Sequence, residues 1–100
     1  MLFGMPSLIE NKSVEEDVAL CARLGLSFLE LNMNLPEFQV PEIEKTEALQ
    51  ALADETGIFW TIHLDENLNI ADFNPLVAEA SRETVRRTIL IARELKAPII

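Results

Sequence analysis

The feature that most constrains the fold is a pair of glycine junctions. Each junction ends a helical pattern and leads directly into a short apolar run. Leu24-Gly25-Leu26 precedes one such run, and Thr56-Gly57-Ile58 opens another. Glycine at this place is typical of the left-handed residue that ends a helix. Strand–helix units in series, joined by short turns, predict parallel strands in an α/β fold.

The helices have recognisable starts. Ser13 and Glu16 have the spacing of a capping box. Pro41 is suited to the first turn of a second helix, and Asn74 is suited to cap a third that runs to about Leu95. Strands are predicted at 2–5, 27–33 and 58–64, with a fourth starting at 98–100. Val18, Cys21, Ala22 and Leu24 follow Ser13 with helical spacing. The residues expected on the buried faces of the next two helices are Ile43, Leu49, Leu52 and Ala53, and Val85, Ile89, Ala92 and Leu95.

The strand faces favour a barrel over an open doubly wound sheet. Alternation places Leu29, Leu31 and Met33 on one face of the second strand, and Trp60, Ile62 and Leu64 on one face of the third. The opposite faces carry Phe28, Glu30 and Asn32, and Phe59, Thr61 and His63. An open parallel sheet covered by helices is apolar on both faces, whereas these strands are apolar on one face and increasingly polar on the other towards their carboxyl ends. The units also have the length of those that build a (β/α)8 barrel of roughly 250 residues.

Charge and composition exclude some functions. The 8 basic and 17 acidic residues give a net charge of −9, so we expect no nucleic-acid partner, because such binding needs a basic surface. No apolar run approaches the roughly 20 residues that span a bilayer, so we expect no membrane association. A single cysteine, Cys21, excludes an internal disulfide and favours a cytoplasmic location.

Three polar residues on the strands are candidates for chemistry. His63, the only histidine, is predicted at the carboxyl end of the third strand, as a metal ligand or as a hydrogen-bonded structural residue. Glu30 requires a partner if it is buried, either a ligand or a structural cation. Asn32 is suited to bind a substrate hydroxyl, or simply to form a turn. The acidic loop that follows His63 is either a lid or a solvated connection.

The segments 24–31, 61–64 and 91–100 together resemble the xylose isomerase-like TIM barrels. That superfamily includes sugar-phosphate isomerases and epimerases and the endonuclease IV type of DNA-repair enzyme. The resemblance covers the chain from its first strand to its fourth and implies the first three βα units of one barrel domain over residues 1–100. The chain departs from the family at Leu64-Asp65, where Pro or Ala is usual, and at Lys96, where Gly is usual.

The resemblance implies a function as well. It makes His63 a ligand of a divalent cation (Zn, Mn, Mg or Co) and places Glu30 near the site; Asn32 is our candidate contact to a sugar or sugar phosphate. The family reaction is isomerisation or epimerisation by proton or hydride transfer near a carbonyl. The family's other ligands lie on later strands, so these 100 residues are expected to be inactive by themselves, and no catalytic residue is assigned.

Three alternatives remain open at this stage. The first is a non-catalytic half-barrel that forms homo-oligomers through its open sheet edges. The second is a part of the endonuclease IV-like branch of the same superfamily, and the third is a complete small open α/β binding domain, which predicts a folded monomer with no metal affinity. The acidic charge disfavours the second of these.

Overall fold

A computed structural model describes all of residues 1–100 and has an α/β fold built on a three-stranded parallel sheet. The strands lie side by side in chain order, so the predicted parallel pairing is confirmed. The strands are β1 (Gly4–Pro6), β2 (Phe28–Asn32) and β3 (Phe59–His63); the helices are α1 (Val14–Arg23), α2 (Val40–Ile43), α3 (Glu47–Thr56) and α4 (Pro75–Leu95), with a 3-10 turn at Pro36–Phe38.

The predicted helix ends are confirmed. Ser13 caps α1 by accepting a hydrogen bond from the backbone of Glu16, and Asn74 caps α4. Gly25 and Gly57 have φ values of 70° and 76° after α1 and α3. These left-handed residues turn the chain from each helix into the next strand, because glycine adopts this conformation without a steric cost.

The helices pack on the apolar face of the sheet. Leu29, Leu31 and Trp60 are completely buried there. Trp60 also donates a hydrogen bond from its indole nitrogen to the backbone of Leu49 in α3, at 3.1 Å. This contact fixes the direction of β3 side chains, so Thr61 and His63 point to the opposite face.

The predicted second helix is two helices, α2 and α3, with a break at Glu44–Thr46. Ile43 and Leu49 are both buried. Six residues apart in one continuous helix, they would project in widely different directions, because a helix repeats every 3.6 residues. The break lets both side chains reach the same core, and Thr46 is held there by donating to Glu94 of α4 at 2.8 Å.

The predicted inner face of α4 was wrong at Ile89, which is 54% exposed. The buried face carries small and polar residues that apolar periodicity overlooks. Ser81 accepts a hydrogen bond from the Asn69 backbone, and Thr88 donates to the backbone of Thr84. Satisfied hydroxyls of this kind are tolerated in a core. The buried residues of α4 are Ala78, Ser81, Thr88, Ile91, Ala92 and Leu95.

The predicted fourth strand is not formed as a strand, but its segment makes one backbone hydrogen bond to β3. The backbone N–H of Ile62 in β3 donates to the carbonyl of Ile99 at 3.1 Å. The segment 98–100 therefore runs beside the free edge of β3. None of the helices combines the length and the apolar character needed to cross a bilayer.

Candidate functional site at the carboxyl end of the strands

The strand register gathers four polar side chains on the face that points away from the helices. Glu30 of β2 is paired with Thr61 of β3, and Asn32 is paired with His63 one pleat further on. Adjacent strands lie about 4.8 Å apart, and residues two apart on a strand are separated by about 6.6 Å. The four side chains therefore occupy one small patch, which we call the polar quartet.

His63 ends β3 at the edge of this patch. Its side chain is half-buried, and its Nδ1 atom is buried without a hydrogen-bond partner. The structural alternative from the sequence, a hydrogen-bonded histidine, is therefore not formed. The Nδ1 atom therefore has a hydrogen-bonding or metal-ligating capacity that no group of this chain uses.

Thr61 is the member of the quartet that the site prediction from the sequence omitted. It is only 4% exposed, and its Oγ1 also lacks a hydrogen-bond partner. Alternation along the strand predicts Thr61 on the same face as His63, but threonine is common in strands, so its residue type does not mark it as a site residue. Only the absence of a partner distinguishes it, and that is a property of the packed structure.

Glu30 is half-buried, and its carboxylate neither accepts a hydrogen bond nor joins an ion pair. The three ion pairs of the structure are Arg82–Glu79, Arg86–Glu83 and Arg87–Glu44, and none of them involves a strand residue. The alternative of a structural ion pair for Glu30 is therefore not formed within this chain. No lysine or arginine lies on any strand.

Asn32 has two roles. Its side-chain oxygen accepts a hydrogen bond from the backbone of Asn34 at 3.0 Å, which forms the turn expected as the alternative for this residue. Its backbone N–H donates to the hydroxyl of Ser7, which follows β1, at 3.1 Å. The side-chain amide nitrogen remains available to donate to a ligand.

The two loops beside the quartet are tied together. Gln39 donates to the carbonyl of Met33 and to Asp65 in the loop after β3. The side chain of Asn34 accepts from the backbone of Glu66 at 2.9 Å. The backbone N–H of Asn67 holds the pKa of Asp65 below its ordinary value, with smaller contributions from side-chain hydrogen bonds. A tied and charged loop beside His63 gives the rim a defined shape.

The loop after β3 is also bound to α4. The backbone N–H of Asn69 donates to Ser81 at 3.0 Å, and Arg82 donates to the carbonyl of Ile70 at 3.2 Å. These bonds make the segment 65–73 a structured connection, whose ends are held by both the rim and the helix.

The donor atoms fit only part of a metal site. No three His, Cys, Asp or Glu side chains converge in the structure. His63 by itself has the orphaned nitrogen that a metal ligand requires. A catalytic zinc site needs about three protein ligands. His63 is therefore suited to supply one of the ligands.

The largest cavity, of about 580 Å³, lies away from the quartet at the amino end of β3. It opens between α3 and α4 and is lined in part by Asp54, Gly57 and Glu94. We place the candidate site at the quartet instead, because the unpartnered buried polar atoms lie there and not in the cavity. Catalytic groups of parallel α/β folds also gather at the carboxyl ends of strands.

No protein-family profile matches the sequence. No curated protein shows significant similarity to it. The fold and the site define the class of this protein: an α/β chain with a parallel sheet and polar side chains at the carboxyl ends of its strands.

Proposed function

We propose that this chain supplies the first three βα units of a metal-dependent sugar isomerase or epimerase barrel, with His63 as one ligand of a divalent cation. The observation that carries the proposal is the buried Nδ1 of His63, which has no partner and lies at the carboxyl end of a parallel strand. The other ligands come from outside these 100 residues. The proposal is also supported by the resemblance of segments 24–31, 61–64 and 91–100 to the xylose isomerase-like barrels.

The quartet gives each side chain a chemical task. A divalent cation at such a site polarises the carbonyl of a sugar. The Asn32 amide donates to a substrate hydroxyl, and the Glu30 carboxylate accepts a hydrogen bond from another. The ties between Gln39 and Asp65 hold the adjoining loops, so that these groups keep their positions while the substrate binds.

The proposal is tested with Co²⁺, which binds imidazole well and is paramagnetic. We expect Co²⁺ to perturb the NMR signals of residues 32–33 and 62–64 first. His63→Ala should abolish that response, because the chain has no second histidine.

Asp54→Asn is the matched control. It removes an exposed carboxylate from the opposite end of the sheet and should leave the Co²⁺ response unchanged. A response that survives His63→Ala, or that centres on the acidic loop 65–73, would contradict the proposal. In that case the metal is attracted only by the net negative charge.

A second candidate function, self-association as a half-barrel, is favoured by apolar residues at both sheet edges. Phe3 directly precedes β1 and is 63% exposed, while Ile99 lies beside β3 and is 65% exposed. Open edges with exposed apolar side chains promote pairing with another chain. We therefore expect a homo-oligomer in solution.

Light scattering coupled to size-exclusion chromatography measures this directly. Ile99→Lys should shift the chain toward the monomer, because a charge at a sheet edge opposes pairing. Ile70→Lys is the control: Ile70 is 57% exposed but lies in the loop before α4. A stable monomer at all concentrations would exclude this candidate.

A further inference from the structure

The pairing of Glu30 with Thr61 deepens the proposed function. The two residues are directly opposite in the register of β2 and β3, on the same face as His63. Thr61 is nine-tenths buried and its hydroxyl is unpartnered, while the carboxylate of Glu30 makes no hydrogen bond. A buried hydroxyl without a partner is costly, so its presence beside an unpaired carboxylate indicates a ligand that serves both.

The chemistry of the pair selects the ligand group. The Glu30 carboxylate only accepts hydrogen bonds when ionised, while the Thr61 hydroxyl both donates and accepts. A ligand hydroxyl donates to the first and accepts from the second. An amide N–H lacks the accepting oxygen, and a carboxylate or phosphate is repelled by Glu30.

No basic side chain on the strands would meet a phosphoryl group at this position. The strands carry no lysine or arginine, and the chain as a whole has a net charge of −9. A phosphate held by protein side chains is normally met by Arg or Lys. This end of the quartet therefore lacks the groups that would bind one.

We propose that Glu30 and Thr61 together bind one hydroxyl of a neutral polyhydroxy ligand. The inference rests on the proposed function and assigns the pair to a hydroxyl of the sugar, not to a phosphate. Thr61 is then a specificity-determining residue.

The test is an NMR titration of the chain with D-fructose, which yields the apparent Kd from amide shifts of residues 30–32 and 61–63. Thr61→Val keeps the shape and removes the hydroxyl, and it should raise the Kd about 3- to 10-fold, the range that one lost hydrogen bond produces. Thr61→Ser keeps the hydroxyl and should stay within about twofold of the parent chain.

Thr46→Val is the matched control. Thr46 is equally buried, but its hydroxyl donates to Glu94 on the other side of the sheet. The Kd for D-fructose should not change. D-fructose 6-phosphate should bind no more tightly than D-fructose in the parent chain.

Three results would overturn the inference. They are an unchanged Kd in Thr61→Val, tighter binding of the phosphorylated sugar, and no binding of D-fructose to the parent chain. The Co²⁺ response at His63 is measured on the same samples. If it persists while the sugar result fails, the metal site stands and only the assignment of Glu30 and Thr61 falls.

Discussion

Thr61→Val should make the chain more stable, which is unusual for a change at a buried polar residue. The hydroxyl of Thr61 is buried and unpartnered, and such a group costs about 1–3 kcal/mol of desolvation. Valine replaces it with a methyl group of similar size and suits a strand equally well. We therefore expect the free energy of unfolding to rise by about 1 kcal/mol, taking the low end of that range.

The control is a second buried threonine, Thr46, and the assay is urea unfolding. Thr46→Val removes a hydroxyl that does have a partner, at 2.8 Å from Glu94, and should lower the free energy of unfolding by about 1 kcal/mol. Urea unfolding of both variants, with equal m-values, separates them by about 2 kcal/mol in total. If Thr61→Val is destabilised as much as Thr46→Val, the Thr61 hydroxyl has a partner in the free chain. No ligand is then needed to satisfy that hydroxyl.

Three further predictions concern the helix cap, the strand pairing and the acid limb of stability. Lys96 ends α4 with a φ of 55°, a left-handed conformation that strains a residue with a Cβ. Lys96→Gly should therefore raise the free energy of unfolding by about 1 kcal/mol, measured by thermal unfolding. An unchanged free energy of unfolding would show that Lys96 is not strained. A Cβ on Gly4 would lie 2.2 Å from the ring of Phe28, so Gly4→Ala should cost about 1–3 kcal/mol, and adding Phe28→Leu should recover part of it. The hydrogen bond from the Asn67 backbone lowers the pKa of Asp65 from an ordinary 3.8. The ionised Asp65 carboxylate therefore stabilises the fold above that pH, and this stabilisation is lost as pH falls through the folded-state pKa. Asp65→Asn should weaken the pH dependence of the urea unfolding midpoint below that pH. An unchanged pH dependence in this variant would contradict the hydrogen bond.

The ends of helices and the faces of strands could be predicted from the sequence where they depend only on residues close together in the chain. The capping of α1 at Ser13 and the glycine stops at Gly25 and Gly57 depend only on neighbouring residues, and the structure has them where the sequence predicts. Alternation along a strand likewise assigned Trp60 and His63 to opposite faces. The break before α3 and the exposure of Ile89 escaped prediction, because both depend on how separate helices share one core.

The candidate site divides in the same way. The residue types and faces of Glu30, Asn32 and His63 could be read along the chain, because a strand alternates every two residues. Their pairing could not, because it depends on the register between strands, which non-local hydrogen bonds decide. The sequence by itself therefore determined which side chains face away from the helices. Only the tertiary structure decided that Glu30 meets Thr61, that Asn32 meets His63, and that buried atoms of Thr61 and His63 are left without partners, because burial and hydrogen bonding arise from packing between segments distant in the chain.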